Sequence, residues 1–170
     1  MKYERFEQLP VWKAGIELAR QVYAMTKSGA FRRQRSLRDQ LERAAVSVSN
    51  NIAEGFERGT TQELLTFLYI ARGSAGEVRS MLWLLETLPD FADRKSEIPD
   101  LKSLAEGVSR QLRAWADSLQ DSSIKGQRYL SEKTRRADQA RRERERFLEE
   151  LRQAQEANIQ KPHGARSEGT

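Results

Sequence analysis

Arg43, Ser47, Asn51, Glu54 and Arg58 recur at steps of three and four residues, the spacing that places side chains on one helix face. Ser74 and Glu77 repeat the pattern further along. Two carboxylates, two guanidiniums, hydroxyls and an amide on facing helices can do one of two things. They can form a closed polar network that fixes how the helices register, or they can line a ligand site. Small residues surround both sets: Ala44 and Ala45 beside Ser47, and Gly73, Ala75 and Gly76 beside Ser74. Small side chains let helix backbones approach, and polar groups buried there must find partners. A structural network of Arg43, Ser47, Asn51, Glu54, Ser74 and Glu77 is therefore expected, with Arg43 paired to Glu77 and Asn51 to Ser74 or a carbonyl. Glu54 and Glu77 are carboxylates of the kind Mg²⁺ binds, but their arginine neighbours favour ion pairs, so no metal and no cofactor is expected.

A second set is basic. Arg32, Arg33, Arg35 and Arg38 are the densest cationic cluster in the first 120 residues, with Asp39 and Glu42 the nearest acids. The guanidinium fork matches phosphate oxygens. Positive charge at the start of a helix also opposes the helix dipole, a local cost that points to another use. Arg58, and Arg135 and Arg136 in the tail, extend the candidate nucleic-acid contacts. The alternative is an ordinary solvated loop and helix start.

Other chemistries lack their residues. The single histidine, His163, lies near the end of the chain, and there is no cysteine. Thiolate metal sites, disulfides, paired Glu-x-x-His di-iron motifs and Ser-His nucleophiles are thereby excluded. No Gly-rich phosphate loop occurs. No catalytic residue is assigned, and an enzyme is not expected. The net charge is +5 and the isoelectric point near 9.7, a balance that favours polyanionic partners. No run approaches the roughly 18 apolar residues of a membrane span, and the charged opening is unlike a secretory leader. A cytoplasmic protein is expected.

The positioning elements are read from apolar spacing. Trp12, Ile16, Ala19, Tyr23 and Thr26 predict a first helix over about 9–27, ended by Ser28-Gly29 with the glycine in a left-handed turn. Leu37, Leu41, Ala44, Val48 and Ile52 predict a second from about Gln34 to Gly55 or a few residues beyond. Thr60 with Glu63 has capping-box spacing and opens a third. Its seam is Leu64, Leu68, Ala71, Ala75, Val78, Leu82 and Leu85, and Pro89-Asp90 stops it. Leu101, Leu104, Val108, Leu112, Trp115 and Leu119 form the fourth stripe. The fold class is all-α: an antiparallel up-down four-helix bundle over residues 1–120. Helix three has more apolar surface than its seam needs. Leu65, Phe67, Tyr69, Ile70, Met81, Trp83 and Leu84 lie outside it, and of these Phe67, Ile70, Met81 and Leu84 are assigned to an oligomer interface; the alternative is a wide core face with scattered surface aromatics. Residues 121–170 read as a linker, an Arg/Glu-rich charged helical extension with pairs such as Arg141 and Glu145, and a tail.

The run from Gln40 to Gly55, QLERAAVSVSNNIAEG, with Val11-Trp12-Lys13-Ala14 before it and Phe67 to Glu77, FLYIARGSAGE, after it, resembles the four-helix-bundle proteins encoded in intervening sequences of bacterial 23S ribosomal RNA genes. The resemblance covers about residues 6–119. It implies a four-helix bundle and a homo-oligomer, a pentameric ring in relatives, without a settled activity. A related branch, the accessory variability proteins of diversity-generating retroelements, works with a reverse transcriptase and its RNA. The chain departs from the family's usual helix one–helix two connection in being more basic, and the Arg-rich extension lies outside the family core. Two readings follow. The first is a non-enzymatic ring that binds RNA or DNA, or a ribonucleoprotein such as a reverse transcriptase complex. The second is an oligomeric scaffold that displays its C-terminal helix to a protein partner.

Overall fold

The computed structural model describes residues 3–121, 140–141 and 143–153, and the chain divides into two units, 1–128 and 129–170. The first unit contains four long helices, α1 (Pro10–Thr26), α2 (Arg35–Glu57), α3 (Thr61–Thr87) and α4 (Ile98–Gln120). Short 3-10 turns precede α1 (Phe6–Gln8), join α1 to α2 (Gly29–Arg32) and join α3 to α4 (Pro89–Arg94). Every multi-residue element among the described residues is helical, with no strand. Around the core, α1 packs on α2 and α4, α2 on α3, and α3 on α4.

The seam of α3 lies where the 3–4 spacing places it. Leu64, Leu68, Ala71, Ala75, Val78, Leu82 and Leu85 are all buried. Burial of each large aliphatic side chain contributes about 1.5–3 kcal/mol. The Thr60 hydroxyl accepts from the Glu63 amide at 3.2 Å and donates to Glu63 Oε2 at 2.8 Å. One of the four orphan amides of α3 is thereby satisfied. Pro10 and Pro99 sit in the first turns of α1 and α4, where their missing N–H costs nothing.

Helix α1 differs from its expected register by about one residue. Its buried line is Val11, Gly15, Leu18, Ala19, Val22, Met25 and Thr26, while Ile16 and Tyr23 are more than 40% exposed. The helix carries two apolar lines roughly 100° apart. Gly15 decides between them: a Cβ there would lie 3.2 Å from Val48 Cγ1, so α1 approaches α2 along the Gly15 line. Thr26 donates to Glu42 Oε1 at 2.6 Å and fastens the same face. Gly29 is not left-handed; no described residue has positive φ. It opens a 3-10 turn instead.

In the second unit, residues 140–141 and 143–153 are helical and exposed. Arg141 pairs with Glu145 at 3.9 Å and Arg152 with Glu149 at 3.4 Å, and Phe147, Leu148 and Leu151 share one exposed apolar side.

Candidate nucleic-acid interface

The basic cluster is positioned by a buried aromatic pair. Phe31 in the α1–α2 turn and Phe91 in the α3–α4 turn are 1% and 0% exposed. Their rings meet edge to face with centroids 4.7 Å apart. Burial contributes about 1.5–3 kcal/mol per ring, and the edge-to-face contact roughly 0.5–1.5 kcal/mol more. With Phe31 locked inward, the next residues of the turn, Arg32 and Arg33, project into solvent. Arg35 opens α2, also exposed. None of these three has an ion pair or hydrogen-bonded partner among the described residues. Arg38 is different: its Nε and Nη2 both reach Asp39 Oδ1, at 2.9 and 2.7 Å. That hydrogen bond, with the Asp39 and Glu42 charges, holds its pKa above the ordinary arginine value.

The start of α2 adds to this. Gln34 makes no side-chain cap bond, and the first turn holds no acidic residue. Free amides and the positive end of the helix dipole thus face the same solvent as the arginines. The fold also brings Arg94 and Lys95 to this end, because the Phe91 turn carries them; Arg94 is held by Glu97 at 2.7 Å. Sequence periodicity missed the Phe31–Phe91 clasp. Ser28 Oγ, at the head of the turn, is buried without a partner among the described residues.

Arg58 lies elsewhere, at the far end of α2. It pairs with Glu54 and lies over the Phe67 ring, 5.1 Å from its centroid. Arg135 and Arg136 fall outside the described residues.

The polar network divides into two parts. Asn51 Nδ2 donates to the Ser47 carbonyl at 2.7 Å and to Ser47 Oγ at 2.9 Å. A carbonyl only accepts, so the amide nitrogen must face it. Ser74 Oγ donates to the Ile70 carbonyl at 3.1 Å. A hydroxyl has one proton, so the 2.9 Å Ser47–Ser74 bond must run from Ser47 to Ser74. The result is a directed chain across α2 and α3: Asn51 to Ser47 to Ser74 to Ile70. Arg43, Glu54 and Glu77 stand outside it. Glu54 belongs to Arg58. Arg43 Nε donates to the Asp39 carbonyl at 3.2 Å. Arg43 and Glu77 share the lining of an open pocket of about 400 Å³ with Gln40, Ala44, Ser47, Ser80 and Met81, yet do not pair. Among the described residues, no group of three metal-ligating side chains forms, and no helix is long and apolar enough to cross a membrane.

The close approach of α2 and α3 is made by Gly55. A Cβ on it would lie 2.6 Å from Phe67 Cβ. Gly73 and Gly76 have nothing within 4 Å of a built Cβ, so they serve no packing inside the subunit. Of the apolar residues assigned to an oligomer interface, Ile70 and Leu84 are 46% and 49% exposed. Phe67 and Met81 are half-buried, Phe67 against Gly55 and Met81 at the pocket.

The model of the 23S rRNA-intervening sequence protein family matches residues 7–114, well over half of the chain. The chain belongs to that family. The matched span holds both the arginine cluster and the Asn51–Ser47–Ser74 chain, and it excludes the helical residues 143–153. The protein is also similar to a crystal structure of a protein of unknown function from the S23 ribosomal protein family of Bacteroides thetaiotaomicron, with TM-score 0.56 and 17% identity over 62% of this chain and 97% of that one. At that identity the likeness concerns the fold. No curated protein sequence matches the chain. As a 23S rRNA-intervening sequence protein it carries, beyond the matched span, the Phe147–Leu151 apolar side described above.

Proposed function

We propose that this protein is a non-enzymatic, ring-forming RNA-binding accessory protein of the cytoplasm: an antiparallel four-helix bundle whose copies each present Arg32, Arg33 and Arg35 to a phosphate backbone. The observation that carries this reading is the Phe31–Phe91 clasp, which fixes three arginines in solvent with no partner among the described residues. Evolved surfaces usually intersperse charges of both signs. Here the turn adds cations to a helix start that already favours anions. Each phosphate contact is weak, and repetition around a ring multiplies it. The family's description links it to 23S rRNA intervening sequences, and the related retroelement accessory proteins make a reverse transcriptase complex a candidate partner.

Native mass spectrometry of gently purified protein tests this reading. A ring mass carrying extra mass removed by ribonuclease is the expected outcome. A ring that stays free of RNA when mixed with RNA at low salt would remove the RNA reading.

A second reading rests on a separate observation. The exposed Phe147, Leu148 and Leu151 side suits a scaffold that offers its C-terminal helix to a protein partner. Deleting 121–170 should then abolish a partner pull-down while the oligomer persists. Retention of every partner by the truncated chain would refute it.

A further inference from the structure

A closed ring of more than two copies needs two different mating surfaces on each subunit, because a patch that pairs with itself stops at a dimer. One is the α2/α3 side, where exposed Ile70 and Leu84 flank the pocket. The register of α1 exposes a second. Ile16 and Tyr23 are 42% and 41% exposed and lie on one line, two helical turns apart. The Tyr23 hydroxyl has no partner among the described residues. Helices α1 and α3 both pack on α2.

We infer that Tyr23 of one copy inserts into the α2/α3 pocket of the next. This rests on the ring assembly proposed above. The pocket's lining says what it accepts. Ala44 and Met81 supply apolar walls; Ser80, Arg43 and Glu77 supply polar ones. A group with an apolar body and a polar tip matches that mixture, and tyrosine is such a group. Lys13 and Lys27 lie beside the Ile16–Tyr23 line with no ion pair among the described residues, while Arg20 between them is paired with Glu17; in the pocket Glu77, beside Arg43, has no ion pair among the described residues. Gly73, open to solvent between Ile70 and Glu77, lets a neighbouring helix come close.

The chain contains no cysteine, which makes cross-linking clean. Two full-length variants, Tyr23→Cys and Ser80→Cys, both at solvent-reachable positions, are purified, mixed and mildly oxidised. A covalent heterodimer in the mixture, with neither variant cross-linking alone, is expected. Faster dimerisation of either variant alone would show like pairing with like and overturn the inference. So would an oligomer, seen by native mass spectrometry, that yields no heterodimer. A monomer at micromolar concentration would overturn the ring reading itself, which keeps the two failures distinct. Independently, Tyr23→Ala should raise the oligomer dissociation constant roughly thirtyfold, the scale of an interface hot spot. Tyr23→Phe should give a smaller rise, and both should keep the helical circular dichroism of the parent. An unchanged dissociation constant in Tyr23→Ala would also overturn the inference.

Discussion

Between α2 and α3, Asn51, Ser47 and Ser74 hand one hydrogen-bond chain to the Ile70 carbonyl. Between α1 and α2, Arg32, Arg33 and Arg35 hand theirs to nothing in the chain. Both stretches are rich in polar residues, and both are anchored by close aromatic or glycine contacts, Gly55 on Phe67 in one and Phe31 on Phe91 in the other. The difference is where the polar atoms end. Groups satisfied inside the subunit hold helices in register. Groups held outward by a buried anchor, at the expense of helix-dipole repulsion, are available to an external anion.

The largest effect that would break this contrast is on the anchor. Phe91→Ala should lower unfolding free energy by about 3–5 kcal/mol in urea titration, with RNA affinity falling in conditions where the variant is still folded. A stable variant with full affinity would show that the clasp does not position the arginines. Next is the seam. Gly55→Ala places a methyl against Phe67 Cβ and should cost about 1–3 kcal/mol, without altering RNA affinity of the folded protein. In the hydrogen-bond chain, Ser74→Ala should cost about 1–3 kcal/mol, because Ser47 loses its acceptor.

The sequence made some of this visible and hid the rest for physical reasons. The α3 seam and the Thr60 cap were legible because periodicity and capping are local. The α1 register was not: two apolar lines compete on that helix, and the deciding contact, Gly15 against Val48, lies 33 residues away in sequence (48 − 15). Gly73 and Gly76 read as close-approach residues, yet the approach is made by Gly55, which reads as a helix terminus. The Phe31–Phe91 contact joins two 3-10 turns with no periodicity to announce them. The arginine cluster itself was plain in the sequence; its lack of internal partners was not.

Smaller effects sharpen the comparison. Ser28→Ala should stabilise the protein by about 1 kcal/mol, since it removes a buried hydroxyl that has no partner. Away from both regions, Glu17 provides a control. Hydrogen bonds from Arg20 and then Gln21 lower its pKa from 4.5 to about 2. A lowered carboxyl pKa contributes stability that is present above the unfolded value and is lost as pH falls toward the folded one. Glu17→Gln should therefore show a small Tm deficit at neutral pH that disappears between about pH 4.5 and 2, with no change in RNA binding. The group is solvent-exposed, so the deficit should be the least of these effects.

The most direct measurement is the salt dependence of RNA affinity for the parent and for Arg32→Ala/Arg33→Ala/Arg35→Ala. Surface substitutions of this kind shift stability by no more than about 0.5 kcal/mol each, so folding does not confound the comparison. Three phosphate contacts on single-stranded RNA should account for a slope of about two in log K against log salt. The parent is expected to bind with a steep slope, and the triple variant to bind weakly with a slope shallower by about that amount. Equal slopes and equal affinities would contradict the assignment of Arg32, Arg33 and Arg35 to the nucleic-acid interface.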